Sequence, residues 1–542
     1  MLGEDFFCQK SRWHGLFGKC NMRRYLTFFV KHWPIISILV LLVITFALFT
    51  YFQAVPAFAD PDSFYHIKMA QLIPHQGIIK TFPWLQFTIL RDTYIDQHFL
   101  YHVFLIPFVY LMDPIQGAKL ATVILCSGLI ILFYLFLRSE KIKFAFVFAL
   151  ILLASMPFIF RINLVKAPVF SIILLLSGVW LMFKNKKWPL AILSFLYVWA
   201  YGGFVVVLVA AGAYMVVGLL VDAFSHGKHI PVWRVIKRNQ ELRLFLFCLA
   251  GVVAGILVNP QFPQNLIFYW HQLVKIGIIN YQNVISVGNE WYPYKFTDLT
   301  ASTAMISVIV LVALYLCVVN FRRPSKKVMT TFLIFLFFLI FTLKSRRYVE
   351  YYVPFALLFG AFGLDYYMWR ISWRSIWEKF LHFYFHHRII TTILVIYFLA
   401  TVPTLVLKDA HGTYNDLRNG IAITRFASAS AWLEQHSQPG DIVFHSSWDE
   451  FPMLFYFNSK DYYIFGLDPT FSYEYSHELH QKIVDITTGK QVANLHDDLK
   501  NTFRASYVFV EKKHTSMNTN IKSDAGFAEV YADNEATVYR VL

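Results

Sequence analysis

The sequence predicts a polytopic α-helical membrane protein with a C-terminal soluble α/β domain. Three observations predict it. Of 542 residues, 57% are hydrophobic and only 15% charged, where a soluble protein carries about a quarter charged residues. Apolar runs approaching the roughly 20 residues that cross a bilayer recur through the first three quarters of the chain. After Lys408 the composition shifts to mixed charges, short apolar runs and turn residues.

The elements follow in order. Lys10, Arg12, Lys19, Arg23, Arg24 and Lys31 precede the first run. No small-residue cleavage site follows it, so it reads as an anchor with a cytoplasmic N-terminus. The first span, about 33–51, then leaves on the extracytoplasmic side. A polar, aromatic-rich loop covers about 55–98. Apolar spans are expected near 99–112, 117–137, 141–160, 168–183, 189–201 and 203–222. The basic stretch "HGKHIPVWRVIKRNQELR" suits a cytoplasmic loop. A span near 243–258 leads into a second long loop at about 259–300. Spans resume near 301–320, 328–343, 350–370 and 388–407, giving about a dozen. The membrane domain is thus 1–408 and the extracytoplasmic α/β domain 409–542. In the latter, "DIVFHSS", "YYIFGL", "ASYVFVEK" and "ATVYRVL" read as strands. "AITRFASASAWLEQHS" and "SYEYSHELHQKIVDI" have helical spacing, and "QPGD" is a turn.

The net charge of +15 raises nucleic acid as a partner for a soluble protein. Here it reads as cytoplasmic loops and attraction to a polyanionic lipid head group, without nucleic acid. The five cysteines have no metal spacing, and none follows Cys317, which excludes a disulfide framework in the C-terminal domain.

Five stretches carry candidate chemistry. "FADPDSFYH" places Asp60, Asp62 and His66 at the mouth of the first span. A carboxylate there needs water, a cation or a metal. Mg²⁺ and Mn²⁺ take carboxylate oxygens and leave positions for substrate phosphates, while solvated turn residues or helix caps fit the same acids. "RDTYIDQHFLYH" gathers Asp92, Asp96, His98 and His102, and Asp96 and His98 can face one cation on an extended backbone. "NVISVGNEWYPYKF" holds one acid, Glu290, able to orient an acceptor nucleophile or to stand as a surface residue. "KSRRYVEYYVPF" carries Lys344, Arg346 and Arg347, either a positive-inside stop or a diphosphate fork. "SSWDEFP" follows a strand and offers Trp448 and Asp449, at a place where binding sites are common.

In this order, the stretches resemble the catalytic subunit of oligosaccharyltransferase across nearly the whole chain. That resemblance implies a GT-C fold with about 11–13 transmembrane helices. "DPDSFYHIK" resembles the family's metal-binding first-loop motif, with Asp62 at the ligand position. "SVGNEWYPYKF" resembles the mobile loop whose glutamate contacts the acceptor amide, which is Glu290 here. "RRYVEYYVP" is similar to the arginine segment near the lipid diphosphate, with Arg347 matching best and Arg346 next. "SSWDEFP" resembles the Trp-Trp-Asp-Tyr-Gly motif that reads the acceptor hydroxyl, through Trp448 and Asp449.

Two departures stand out. Ser447 replaces the first Trp, and Glu450-Phe451 replace Tyr-Gly. In "FRINLVKAPVFS" Arg161 is retained, but Lys166 and Pro168 occupy the region of the family's second acidic motif. Asp96 and His98 would then complete a Mn²⁺ or Mg²⁺ site with Asp62, or the Lys166 ammonium would replace the cation; the metal is the reading adopted. The expected activity is transfer of a glycan from a polyprenyl-phosphate or -diphosphate carrier to a protein asparagine. Arg347, Arg346, Arg161 and Lys166 would bind phosphate, with His66 beside them. The expected setting is a prokaryotic plasma membrane, with the active site outside and a single subunit. The alternatives are a GT-C transferase using a polyprenyl-monophosphate sugar with a lipid or polymer acceptor, and a transporter or flippase. Paired repeats would mark a transporter, and the chain shows none.

Overall fold

The computed structural model describes residues 19–226, 239–320, 325–368 and 382–542. Lys10, Arg12 and most of the basic stretch, 227–238, lie outside them. The protein is an integral membrane protein built from helices, followed by a sheet domain. Among the described residues, five helices are long and apolar enough to cross a membrane: His32–Gln53, Pro114–Ser139, Val205–Asp222, Gln240–Leu257 and Lys326–Lys344. Two bent pairs, Ala145–Leu152 with Met156–Ile162 and Phe296–Ser302 with Ala304–Val319, raise this to seven. Three expected spans are shorter helices, Phe99–Leu111, Pro168–Phe183 and Lys187–Ala200. At 1.5 Å per residue a 13-residue helix covers about 20 Å of a roughly 30 Å core. Two further helices, Val349–Met368 and Arg388–Arg418, run before and after the segment 369–381.

The 77° bend before Met156–Ile162, and the break after it, shape the site. Pro157 opens that helix and Pro168 opens the next, and proline suits a first turn because its missing N–H would be unpaired there. Between them the 163–167 backbone is irregular, which lipid tolerates only where protein covers it. The freed carbonyls are covered: Gln53 Nε2 donates to the Asn163 carbonyl at 2.7 Å, and Cys126 Sγ to the Ile162 carbonyl at 2.9 Å. This break turns Lys166 toward the first long loop and Arg161 toward Glu290 of the second.

Elsewhere close helix packing depends on small residues. The Lys187–Ala200 and Gln240–Leu257 helices meet at Gly251 and Gly255, where a Cβ on Gly251 would stand 2.1 Å from the Ala191 carbonyl oxygen. The "GVVAG" spacing is the small-xxx-small pattern that lets membrane helices approach.

The C-terminal domain holds a five-stranded sheet of order β4-β3-β5-β7-β6, with β3 (Ile442–His445), β4 (Tyr462–Tyr463), β5 (Ala505–Glu511), β6 (Phe527–Ala532) and β7 (Ala536–Val541). Strand β3 is parallel to β4 and β5, and β7 is antiparallel to β5 and β6. The four strands expected from sequence form; β6 was not foreseen. The expected helix at "SYEYSHELHQKIVDI" divides into Pro469–Tyr475 and His477–Thr487, because Ser476 caps the second. The first long loop joins this sheet. β1 (Ala57–Phe58) pairs with β2 (Ile421–Ala422), and the 84–87 segment bonds along β4 through Tyr463 and Ile464.

Candidate active site

The opening "DPD" turn folds back on itself. Asp60 Oδ1 accepts the Asp62 N–H at 2.9 Å, and Asp62 begins the Asp62–Gln76 helix. Both carboxylates then close on one cation. Lys166 Nζ lies 2.9 Å from Asp60 Oδ2 and 2.8 Å from Asp62 Oδ2. Burial raises the Asp62 carboxyl to about 6 even though Lys166 pulls it down. Burial also works against the Lys166 charge, but Asp60, Asp62 and Glu290 outweigh it and hold the ammonium well above its usual range.

A second charged chain adjoins it. Glu290 accepts from Arg161 Nη1 and faces Arg347 Nη1 at 3.5 Å. Arg161 Nε binds Glu350 at 2.9 Å. Arg347 stacks its guanidinium over Trp291, 4.3 Å from the ring centre, a favourable cation–π contact. Burial works to raise the Glu290 carboxyl, yet Arg347, Arg161 and Lys166 together hold it well below the usual carboxylate range. The Glu290 side chain is 21% exposed and that of Glu350 1%, so of these two acids an incoming molecule can reach Glu290. Glu350, which sequence reasoning missed, orients Arg161. Its signal lay three residues after Arg347 in "RRYVEYY", an acid in an otherwise apolar span.

Arg346 separates from its neighbour. It is exposed, its N–H donates to the Tyr292 carbonyl at 3.0 Å, and its guanidinium Nε donates to Pro293 at 3.3 Å. It clamps the loop that carries Glu290 while Arg347 faces the charged centre.

The structure does not gather Asp62, Asp96 and His98 around one point. Asp96 is buried, with Oδ2 accepting from His102 Nδ1 at 2.8 Å and Oδ1 from the His98 N–H at 3.0 Å. His66, expected beside phosphate, is buried and bonds His102 at 2.8 Å. Around Asp62 the cation position is filled by Lys166. Mn²⁺ or Mg²⁺ requires about six oxygen donors, and two carboxylates already clamped on an ammonium do not fit that demand.

The C-terminal domain covers this centre. Trp448 lies 3.6 Å from where a Cβ on Gly288 would stand, two residues before Glu290. The buried Asp449 Oδ1 has no hydrogen-bond partner. The departures from the Trp-Trp-Asp-Tyr-Gly pattern have a structural cause. Ser447 and Glu450 form a capping box, and Glu450 accepts from the Ser446 and Ser447 N–H groups at 2.9 and 3.0 Å. Phe451 is buried against Phe82 and Phe455. The S-x-x-E spacing was a readable signal.

No family model and no curated protein matches the chain. Its structure is similar to the oligosaccharyltransferase AglB from Archaeoglobus fulgidus in complex with an inhibitory peptide and a dolichol-phosphate. That likeness has 12% identity and TM-score 0.61 over 95% of this chain and 75% of that one. ArnT from Cupriavidus metallidurans bound to undecaprenyl phosphate is similar at 13% identity and TM-score 0.57, over 94% of this chain and 97% of that one. The arabinofuranosyltransferase AftD from Mycobacteria matches at 11% and 0.54, over 93% of this chain and 40% of that one. At these identities the likeness speaks to architecture: the chain has the GT-C fold shared by these membrane glycosyltransferases.

Proposed function

We propose that the protein is a glycosyltransferase that moves a glycan from a polyprenyl-phosphate or -diphosphate carrier to an acceptor, with a protein asparagine as that acceptor. The observation that carries this reading is Glu290, held between Arg161 and Arg347 beside the Lys166–Asp62 pair and under Trp448. A sugar phosphate already has a good leaving group, so charge screening and alignment are the main demands. Lys166 gives two of its three N–H donors to Asp60 and Asp62 and keeps one for phosphate. Arg347 keeps donors beyond its contact with Glu290. Glu290 accepts from the acceptor amide, and the unpartnered Asp449 oxygen accepts from the acceptor side chain. Asp60 and Asp62 fix the ammonium, and no step passes through a divalent metal at Asp62. The reaction takes place on the extracytoplasmic face of a prokaryotic plasma membrane, with the protein working as a single chain.

A second reading has its own support. Ser447 and Glu450 are committed to the capping box, which leaves the acceptor reader incomplete. This favours a polyprenyl-monophosphate sugar donor with a lipid or polymer acceptor. Product analysis separates the two. Detergent-purified protein is given a labelled lipid-linked oligosaccharide extract and an Asn-X-Thr peptide, without added Mn²⁺ or Mg²⁺. Labelled peptide that is absent with Lys166→Met supports protein glycosylation. Label that moves only into lipid or polymer supports the second reading. Label that stays wholly on the carrier, in protein shown to bind it, rejects both.

A further inference from the structure

Behind Asp62 lies a group of imidazoles that the transfer reaction does not use. We propose that His66, His98 and His102 form a binding site for a nitrogen-preferring transition metal of the Zn²⁺ class, with Asp96 holding the far nitrogen of His102. The ligand nitrogens of the three histidines all lie within 4.8 Å of one another. His66 and His102 are buried and His98 is half-buried. His66 Nδ1 stands 2.8 Å from His102 Nε2. Three imidazoles on a tetrahedral metal hold their nitrogens about 3.3 Å apart, given metal–nitrogen bonds near 2.05 Å. The His66–His102 pair therefore needs to open by only about half an ångström to admit an ion.

The proton positions suit this. Asp96 Oδ2 accepts from His102 Nδ1 at 2.8 Å, which leaves the His102 Nε2 lone pair facing inward. Such carboxylate–histidine pairs fix the tautomer and orientation of metal-bound imidazoles. His66 then moves its proton from Nδ1 to Nε2, so binding releases no net proton from that ring.

His66 is one helical turn from Asp62 on the same helix face. A metal here therefore locks the Asp62–Gln76 helix to the 96–102 segment. Three imidazoles select Zn²⁺, Co²⁺ or Ni²⁺ over Mg²⁺, unlike the oxygen-rich set expected at Asp62.

The test is Co²⁺ binding to the full chain, purified in detergent without a polyhistidine tag. Wild-type protein is loaded with Co²⁺, dialysed and assayed for metal content and for the visible bands of tetrahedral Co²⁺. The exposed His382, His386 and His387 are a competing run, so a variant with all three changed to Ala is measured alongside. One retained Co²⁺ per chain with tetrahedral bands is expected in wild type and in that variant. His98→Ala and His102→Gln should lose it, and Asp96→Asn should weaken binding about 10–100-fold. Folded wild type without stoichiometric Co²⁺ overturns the site, and so does full retention in a folded His98→Ala. His514→Ala, which disables the separate Glu450–Glu511–His514 group, should keep the bands, so the assignment does not hang on the folding of one variant. Neither readout depends on the sugar or acceptor, so failure here leaves the transferase reading intact.

Discussion

Lys166 shows what a single side chain changes. Its ammonium stands between two carboxylates where the motif resemblance implied a metal, and a point charge on a four-carbon stem supplies less electrophilic pull than a divalent ion. Its clamp depends on Asp62 being ionised. Burial raises that carboxyl to about 6, so the anion is full only above that value. Transfer should therefore fall as pH drops through about 6, following the loss of one negative charge beside Lys166. The pH profile of initial rates checks this, and Asp62→Asn should flatten the limb while lowering the maximum. A profile unchanged by Asp62→Asn would assign the limb to another group. Asp62, Glu290, Arg347 and Arg161 were legible as residue types in quoted motifs. Asp60 was set aside because only Asp62 had the motif's spacing to His66, yet both aspartates bind Lys166. That pairing spans 106 residues for Asp60, and local spacing has no access to it.

At the scale of elements, breaks matter as much as helices. The 163–167 break delivers Arg161 and Lys166 to one place because Gln53 and Cys126 satisfy the carbonyls it frees. Helix contact is set by Gly251 in the same way. Gly251→Leu would drive a side chain into the Ala191 carbonyl, 2.1 Å from the Cβ position, and overpacking of this kind costs about 1–3 kcal/mol or more. The expected outcome is a lower thermal midpoint in detergent and less monodisperse protein by size exclusion. An unchanged midpoint would show that this helix pair can separate at no cost. The "GVVAG" spacing was visible in the sequence, but its partner helix was not.

At the scale of the molecule, the first loop is part of the C-terminal sheet. Residues 84–87 bond along β4, Trp84 Nε1 donates to the Ser459 carbonyl at 2.8 Å, and Phe82 packs on Phe451 and Phe455. Expressed alone, residues 409–542 would uncover Phe451, Phe455 and the open edge of β4. Exposed apolar patches and strand edges of this kind drive association. The isolated segment should elute as aggregate and bind a hydrophobic dye, whereas the full chain in detergent should not. A monomeric, dye-free segment would show that the loop adds no needed cover.

The sequence by itself determined the membrane class, the order of the two parts, four of the five sheet strands and the chemical types at the site. Those follow from composition and from periods of 2 and 3.6 residues, which are local properties. Only the tertiary structure decided which charges meet. It placed Lys166 on Asp60 and Asp62, set Glu290 between two arginines, turned Asp96 toward His102 and joined His66 to His102. Each of these contacts is made across a helix break or a loop closure between distant segments. Burial then fixes the charge state of each group, and burial depends on what the rest of the chain packs around it.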